Sequence, residues 1–246
     1  MQRIAVEFIY ADELKKLFNV YGHFYDLRIG DKEFKCRSVL EIVAKEIKAH
    51  TRHLPDAVFI MMNPGSSRPL DRNYKERIFD IATTHSGGCA RDVIPTRPDN
   101  AQYQIMRVML LEGWRFVRVL NLSDLRNGNS GNFSREFQKA SEIDGSHPHS
   151  ILHPERREEF CKYIETNNGP IIAAWGDIGV LSKLAEEALD LLKNKILTGI
   201  RLSEPSSSFR YPSPYKKTDK LKWLREIKTE LEKCNEGFRK AAVKHP

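Results

Sequence analysis

The chain has 246 residues, 40% hydrophobic and 30% charged, which permits a sizeable core and argues against global disorder. Its formal net charge of +7 favours an anionic partner, and nucleic acid is the commonest one for a domain of this size. No run approaches the roughly 18 apolar residues of a membrane span, and the cysteines Cys36, Cys89, Cys161 and Cys234 form no C-x-x-C pair, against a zinc ribbon or a local iron–sulfur cluster.

The N-terminal stretch MQRIAVEFIYADELKK has no secretory pattern, because Glu7, Asp12 and Glu13 interrupt it, so a cytoplasmic protein is expected. Residues 1–55 are irregular. Within them Ser38 and Glu41 have the spacing of a capping box, which predicts a helix running to about Ala49. From residue 56 the pattern becomes regular. AVFIMM (57–62) is a short apolar run backed by turn residues, a buried strand. RPDN (97–100) caps AQYQIMRVMLLEGW, whose Ile105, Met106, Met109 and Leu110 share a helical face and whose Gly113 ends it. FVRVLN (116–121) is the next strand. The stretch 127–153 is long for a connection, and it reads as a surface loop or as a lid of polar side chains and three histidines. A helix over 154–169, a strand over 169–176, a helix over 177–194, a strand over 195–202 and a helix over 218–234 complete the chain.

Strands alternating with helices predict a three-layer α/β/α sandwich around a mainly parallel four-stranded sheet. One domain over 1–246 is expected, with residues 1–55 as an elaboration of an α/β core over 56–235. In such sheets functional groups gather beyond the carboxyl ends of the strands. There the chain carries Asn63-Pro64-Gly65-Ser66-Ser67, then Asn121-Leu122-Ser123-Asp124, then Trp175-Gly176-Asp177, and finally Ser206 to Pro214. Each motif alone has an ordinary reading. Asn-Pro-Gly makes a tight turn, Asp124 and Asp177 suit helix caps, and Trp175 suits core packing.

Taken in order, the four motifs resemble those of the uracil-DNA glycosylase superfamily. Met61-Met62-Asn63-Pro64-Gly65 is similar to the G-I-N-P-G of its mismatch-specific and thymine-DNA branch. Val119-Leu120-Asn121 is similar to L-L-N, Ala173-Ala174-Trp175-Gly176 to L-L-W-G, and Tyr211-Pro212-Ser213-Pro214 to H-P-S-P. The correspondence covers roughly residues 55 to 235. The chain also resembles a poorly characterised bacterial family with N-P-S, N-L, A-W-G and H-P motifs.

The resemblance implies a monofunctional DNA glycosylase that flips a pyrimidine out of the duplex and leaves an abasic site. It needs no cofactor and no metal. Asn63 would orient the attacking water through its carbonyl oxygen, with Tyr211 and Ser213 completing the catalytic set. Met62, Pro64, Gly65 and Ser66 would surround the base, Asn121 would pair with its edge, and Asp124 is a candidate acid nearby. Ser67, Arg68, Arg210, Pro212, Pro214, Tyr215, Lys216 and Lys217 would grip DNA, with Tyr215 as the wedge filling the vacated stack. Two departures matter. The uracil branch has a tyrosine where Gly65 stands, so a C5-substituted pyrimidine is expected, and an anti-phage role against hypermodified cytosine follows as an extension. Tyr211 replaces the histidine of the last motif. The alternatives are a non-catalytic nucleic-acid binder of the same fold or a nucleotide- or nucleoside-processing α/β enzyme. The expected partner is DNA, and the expected state is a monomer.

Overall fold

The computed structural model describes residues 7–47, 54–80, 92–177, 179–203 and 206–242. Helix α1 (Ala11–Leu17) leads directly into the longest hairpin of the molecule, β1 (Phe18–Ile29) and β2 (Lys32–Ala44). The two-residue turn between them works because Gly30 takes φ +56°, a conformation that costs glycine little. The core strand β3 (Ala57–Met61) follows, then the short strands β4 (Arg68–Pro69), β5 (Arg77–Asp80) and β6 (Ile94–Arg97). Helix α2 (Asn100–Glu112) precedes β7 (Phe116–Asn121). Helices α3 (Ser130–Ile143) and α4 (Arg157–Glu165), strand β8 (Ile171–Ala173), helix α5 (Ser182–Leu192), strand β9 (Leu197–Thr198) and helix α6 (Lys217–Ala242) complete the order.

The fold is α/β, with one large mixed sheet ordered β4-β6-β1-β2-β7-β3-β8-β9 and β5 paired to β1. This corrects the expected four-stranded, mainly parallel sheet. Nine strands are present among the described residues, and the sheet is mostly antiparallel. The four anticipated strands do lie side by side and parallel, as β7-β3-β8-β9. What was missing is the N-terminal hairpin, whose β2 runs antiparallel along β7 through Leu40–Val119 and its neighbours, and the short strands β4, β5 and β6 on its far side.

Two cores flank the sheet. Val58, Ile60 and Leu120 face α3, α4 and α5 through Phe133, Phe137, Phe160 and Leu184. Ala57, Phe59, Met61, Val117 and Val119 face α1, α2 and α6 through Leu14, Ile105, Met109, Trp223 and Ile227. Burial on both faces is why β3 and β7 are continuous apolar runs rather than alternating ones.

Three further expectations change. The predicted helix from Ser38 to about Ala49 is strand β2 as far as Ala44, and its last two positions lie outside the described residues. Val39 enters one core while Leu40 and Ile42 enter the other, and the Ser38 hydroxyl pairs with His23 Nδ1 at 2.9 Å instead of capping a helix. The stretch 127–153 is not one long loop, because α3 occupies half of it. Phe133, Phe137 and Ala140, spaced at helical intervals, bury one face of that helix. The strand expected over 195–202 is reduced to Leu197–Thr198. Helix α2 follows expectation closely: Asp99 caps Ala101 and Gln102, the Gln102 side chain returns a bond to the Asp99 backbone, and Gly113 closes the helix at φ +70°. Among the described residues no helix is long and apolar enough to cross a membrane.

Candidate active site at the carboxyl ends of β3 and β7

The loops leaving β3 and β7 stay hydrogen-bonded beyond the strands, Leu122 N–H to Met61 O at 2.8 Å and Ser123 N–H to Met62 O at 3.1 Å. Asn63 sits in this seam and is buried. Its Nδ2 donates to Asn127 O at 2.7 Å and to Leu125 O at 3.3 Å. Both amide hydrogens are thereby held, the carboxamide plane is set, and Oδ1 remains as the group an incoming molecule can address. Pro64 is buried and Met62 half-buried beside it.

Gly65 takes φ +67°, and a side chain there would overlap the Asp99 carboxylate. The space left by the missing side chain is therefore filled by Asp99, whose Oδ2 accepts from Ser66 N–H at 3.2 Å. Gly65 thus supplies a left-handed turn and room for a helix cap, and gives no argument for a C5 substituent. Burial raises the Asp99 carboxyl pKa, and the nearby Arg37 with the Gln102, Ala101 and Ser66 amides oppose the shift.

Arg37, on β2, was not anticipated. It is 1% exposed. Its Nη1 donates to Ser67 Oγ at 2.7 Å and Pro64 O at 3.3 Å, while its backbone N–H donates to Asp124 O at 2.9 Å. One residue thus ties the Asn63 loop to the loop after β7. Burial lowers its pKa to about 10, against the pull of Asp99 and Asp124, so it stays a cation at neutral pH. Tyr211 shares this neighbourhood. Its phenol pKa is raised by burial and by Asp99, and Arg37 opposes that rise. Ser213 is half-buried in the same loop.

The β7 loop is more enclosed than expected. Asn121 is 0% exposed, and neither its Oδ1 nor its Nδ2 finds a hydrogen-bond partner. An orphaned amide of this kind costs on the order of 1–3 kcal/mol. Asp124 is also sealed from solvent. Its Oδ2 accepts from Tyr25 Oη at 2.7 Å and from Arg156 Nη1 at 2.8 Å, and Arg156 is held in turn by Glu159 at 3.0 Å. Asp124 therefore anchors a buried ion pair instead of facing a substrate or capping a helix. Alongside, Ser123 Oγ meets His149 Nδ1 at 3.1 Å, and burial lowers the His149 pKa to about 3.

The expected DNA-facing residues divide. Ser66, Arg68, Lys216 and Tyr215 are exposed, Tyr215 at 99%. Ser67 and Pro212 are buried, and Pro214 is half-buried. Arg210 pairs with Glu226 at 2.8 Å, and Lys217 donates to Tyr10 Oη at 2.8 Å while lying over the Phe8 and Tyr10 rings. Trp175 is core, with Nε1 donating to Ser207 O at 2.8 Å. Asp177 accepts from Ser208 Oγ at 2.9 Å.

Arg37, Tyr25 and Arg156 were given no role from the sequence, while Asp99 was read only within a helix cap and His149 only within the polar 127–153 stretch. Arg37 had one available signal, a lone arginine inside the apolar run that ends CRSVLEIVA. Among the described residues no three His, Cys, Asp or Glu side chains gather to hold a metal ion. Comparison with protein-family models, with curated proteins and with solved structures found no match to this chain.

Proposed function

We propose that the chain is a DNA N-glycosylase acting on a pyrimidine nucleotide at the carboxyl ends of β3 and β7. The observation that carries this reading is the clamped carboxamide of Asn63, whose hydrogens are fixed by Leu125 O and Asn127 O. An oriented amide oxygen can hold a water behind C1′ without a strong base, which suffices when the sugar already carries positive charge in the transition state. In the reaction the C1′–N bond breaks with its electron pair going to the base. Water oxygen forms the new C1′–O bond, and the water proton ends on the departing base. The exposed Tyr215 and Lys216, and the net charge of +7, suit a nucleic-acid partner. The proposal stops at the pyrimidine class, since Asp99 occupies the space beside Gly65.

The test is incubation with single- and double-stranded oligonucleotides carrying different pyrimidines, followed by alkali. Strand breakage should appear only after alkali, for at least one base, and Asn63→Ala should slow release on the order of 100-fold. Absence of release from every substrate, or full activity of Asn63→Ala, refutes the reading. One observation favours a second reading, DNA binding without base excision. Asn121, the group expected to pair with the base, is fully buried. That reading predicts salt-sensitive binding and no abasic product in the same experiment.

A further inference from the structure

We propose that the cleft between α1, β1, β6 and α2 holds one unpaired nucleotide of a DNA strand, with its phosphate between Arg68 and Arg97 and its base against Tyr103. The proposal rests on the nucleic-acid partner of the reading above and is independent of base excision.

Three observations carry it. The first is the cleft itself, whose volume of about 460 Å³ lies within the range of small-ligand sites. Phe18, Val20, Leu70, Pro95, Tyr103 and Met106 give it apolar and aromatic walls. Among the described residues, Lys15 and Arg97 are the only charged groups in its lining, and no Asp or Glu joins them. Lys15 pairs with Asp12 at 2.9 Å, outside the lining, and its ammonium lies 5.8 Å from the centre of the Tyr103 ring. The second observation is that Arg68 on β4 stands directly opposite Arg97 on β6 in an antiparallel register. Both are exposed, and among the described residues neither guanidinium has an ion-pair or hydrogen-bond partner. The third is position. Arg68 directly follows Ser67, and Asp99, two residues after Arg97, accepts from Ser66 N–H at 3.2 Å, so the arginine pair borders the Asn63 loop.

Like charges directly opposite each other destabilise a strand pair. Edge protection explains half of this arrangement. β4 is the last strand of the sheet, and Arg68 with Pro69 discourages pairing with another chain. It does not explain Arg97, which lies on the next strand inward and adds a repulsion that a protected edge does not need. A phosphate between the two arginines removes that repulsion and offers each guanidinium fork its acceptors. The apolar walls beside the pair then receive what the phosphate carries. In a DNA strand that is a sugar and a flat base, which can stack on Tyr103. A paired base keeps its faces within the duplex, so the occupant is an unpaired nucleotide.

The experiment follows binding of labelled oligothymidylate, and of the matching duplex, by fluorescence anisotropy over a range of salt. Wild type is compared with R68S, R97S, Y103L and a control, K139S. Lys139 is exposed on α3, which packs on the opposite face of the sheet. Circular dichroism melting establishes that each variant is folded. R68S and R97S should each weaken single-strand binding about 10-fold and lower the salt slope by about 1. Y103L should weaken single-strand binding at least about 5-fold and leave duplex binding unchanged. K139S should change neither by more than about 2-fold. If the arginine variants behave like K139S, the pair is only edge charge and the proposal is overturned. Loss on R97S with no loss on Y103L also overturns it, since the cleft then takes no base. Oligoglutamate competing as well as unlabelled oligothymidylate overturns it too, because the site would then read charge alone. Should Y103L not fold, the arginine variants and the oligoglutamate competition decide. The expected binding losses without any base release from wild type would uphold the cleft and refute base excision. Absence of any wild-type binding to DNA refutes both.

Discussion

Replacing either partner of the Asp124–Arg156 pair should reveal an asymmetry set by what each residue leaves behind. The two side chains are 0% and 1% exposed and meet at 2.8 Å. In Arg156→Met the Asp124 carboxylate loses the cation beside it and stays fully buried, with the Tyr25 hydroxyl still donating. Removing one member of a buried pair costs about 3–5 kcal/mol. In Asp124→Asn the guanidinium keeps Glu159, at 3.0 Å to Nε and 3.3 Å to Nη2. The loss is then closer to one charged hydrogen bond, about 1.5–3 kcal/mol. The double variant removes both charges and should be more stable than Arg156→Met alone, because the sites are coupled. Urea unfolding followed by circular dichroism at pH 7 measures all three. Equal costs for the two single variants, or a double variant no better than Arg156→Met, refute the reasoning. Base release is the complementary readout. If Asp124→Asn folds at near wild-type stability but abolishes release, Asp124 belongs to the chemistry and not to the scaffold.

His149 makes acid sensitivity predictable in sign. Its folded pKa, near 3 because of burial and the cations around it, lies below the ordinary value of 6.5. Between these values the unfolded chain binds the proton and the folded one does not, so stability falls as pH drops through this window. The loss from pH 7 to pH 5 should be roughly 2 kcal/mol at 1.36 kcal/mol per unit. Urea midpoints for wild type and His149→Asn check this, and equal pH dependence in both refutes it. Tyr215→Ala should change stability by less than about 0.5 kcal/mol, since the ring is 99% exposed. If it stacks on a base it should weaken DNA binding by about 1–3 kcal/mol, read by fluorescence anisotropy at fixed salt, and unchanged affinity removes it from the interface.

The parts of the fold legible in the sequence are those whose signals are local. Helix α2 has its cap, its apolar face and its terminal glycine within a single stretch. Strands β3 and β7 are short apolar runs closed by turn residues, and their parallel neighbours follow in alternation with helices. The hairpin β1–β2 escaped for two reasons. Its inner residues serve two different cores, so apolar and polar positions do not alternate cleanly. Ser38 and Glu41 also happen to carry capping-box spacing, although the Ser38 hydroxyl is engaged across the hairpin by His23. Helix α3 was legible in principle, because Phe133, Phe137 and Ala140 fall at helical intervals. The polar residues between them, rich in Asn and Ser, hid the pattern.

The same reasons explain why half of the candidate site was visible and half was not. Asn63 and Asn121 end apolar strands, so their position along the chain marks them. Arg37 carries only the weak mark of a charge inside an apolar run, and its place at the site follows from where its strand lies in the sheet. β2 runs antiparallel beside β7, which brings the Arg37 backbone to the Asp124 carbonyl and its guanidinium to Pro64 and Ser67. A residue expected to belong to an N-terminal elaboration therefore joins the two loops on which the chemistry is proposed. Its charge lies in the interior because β2 is a central strand, covered on both faces. The pairing that hid Arg37 in the sequence is also what desolvates it, and Asp99 and Asp124 are the carboxylates that act on its buried charge.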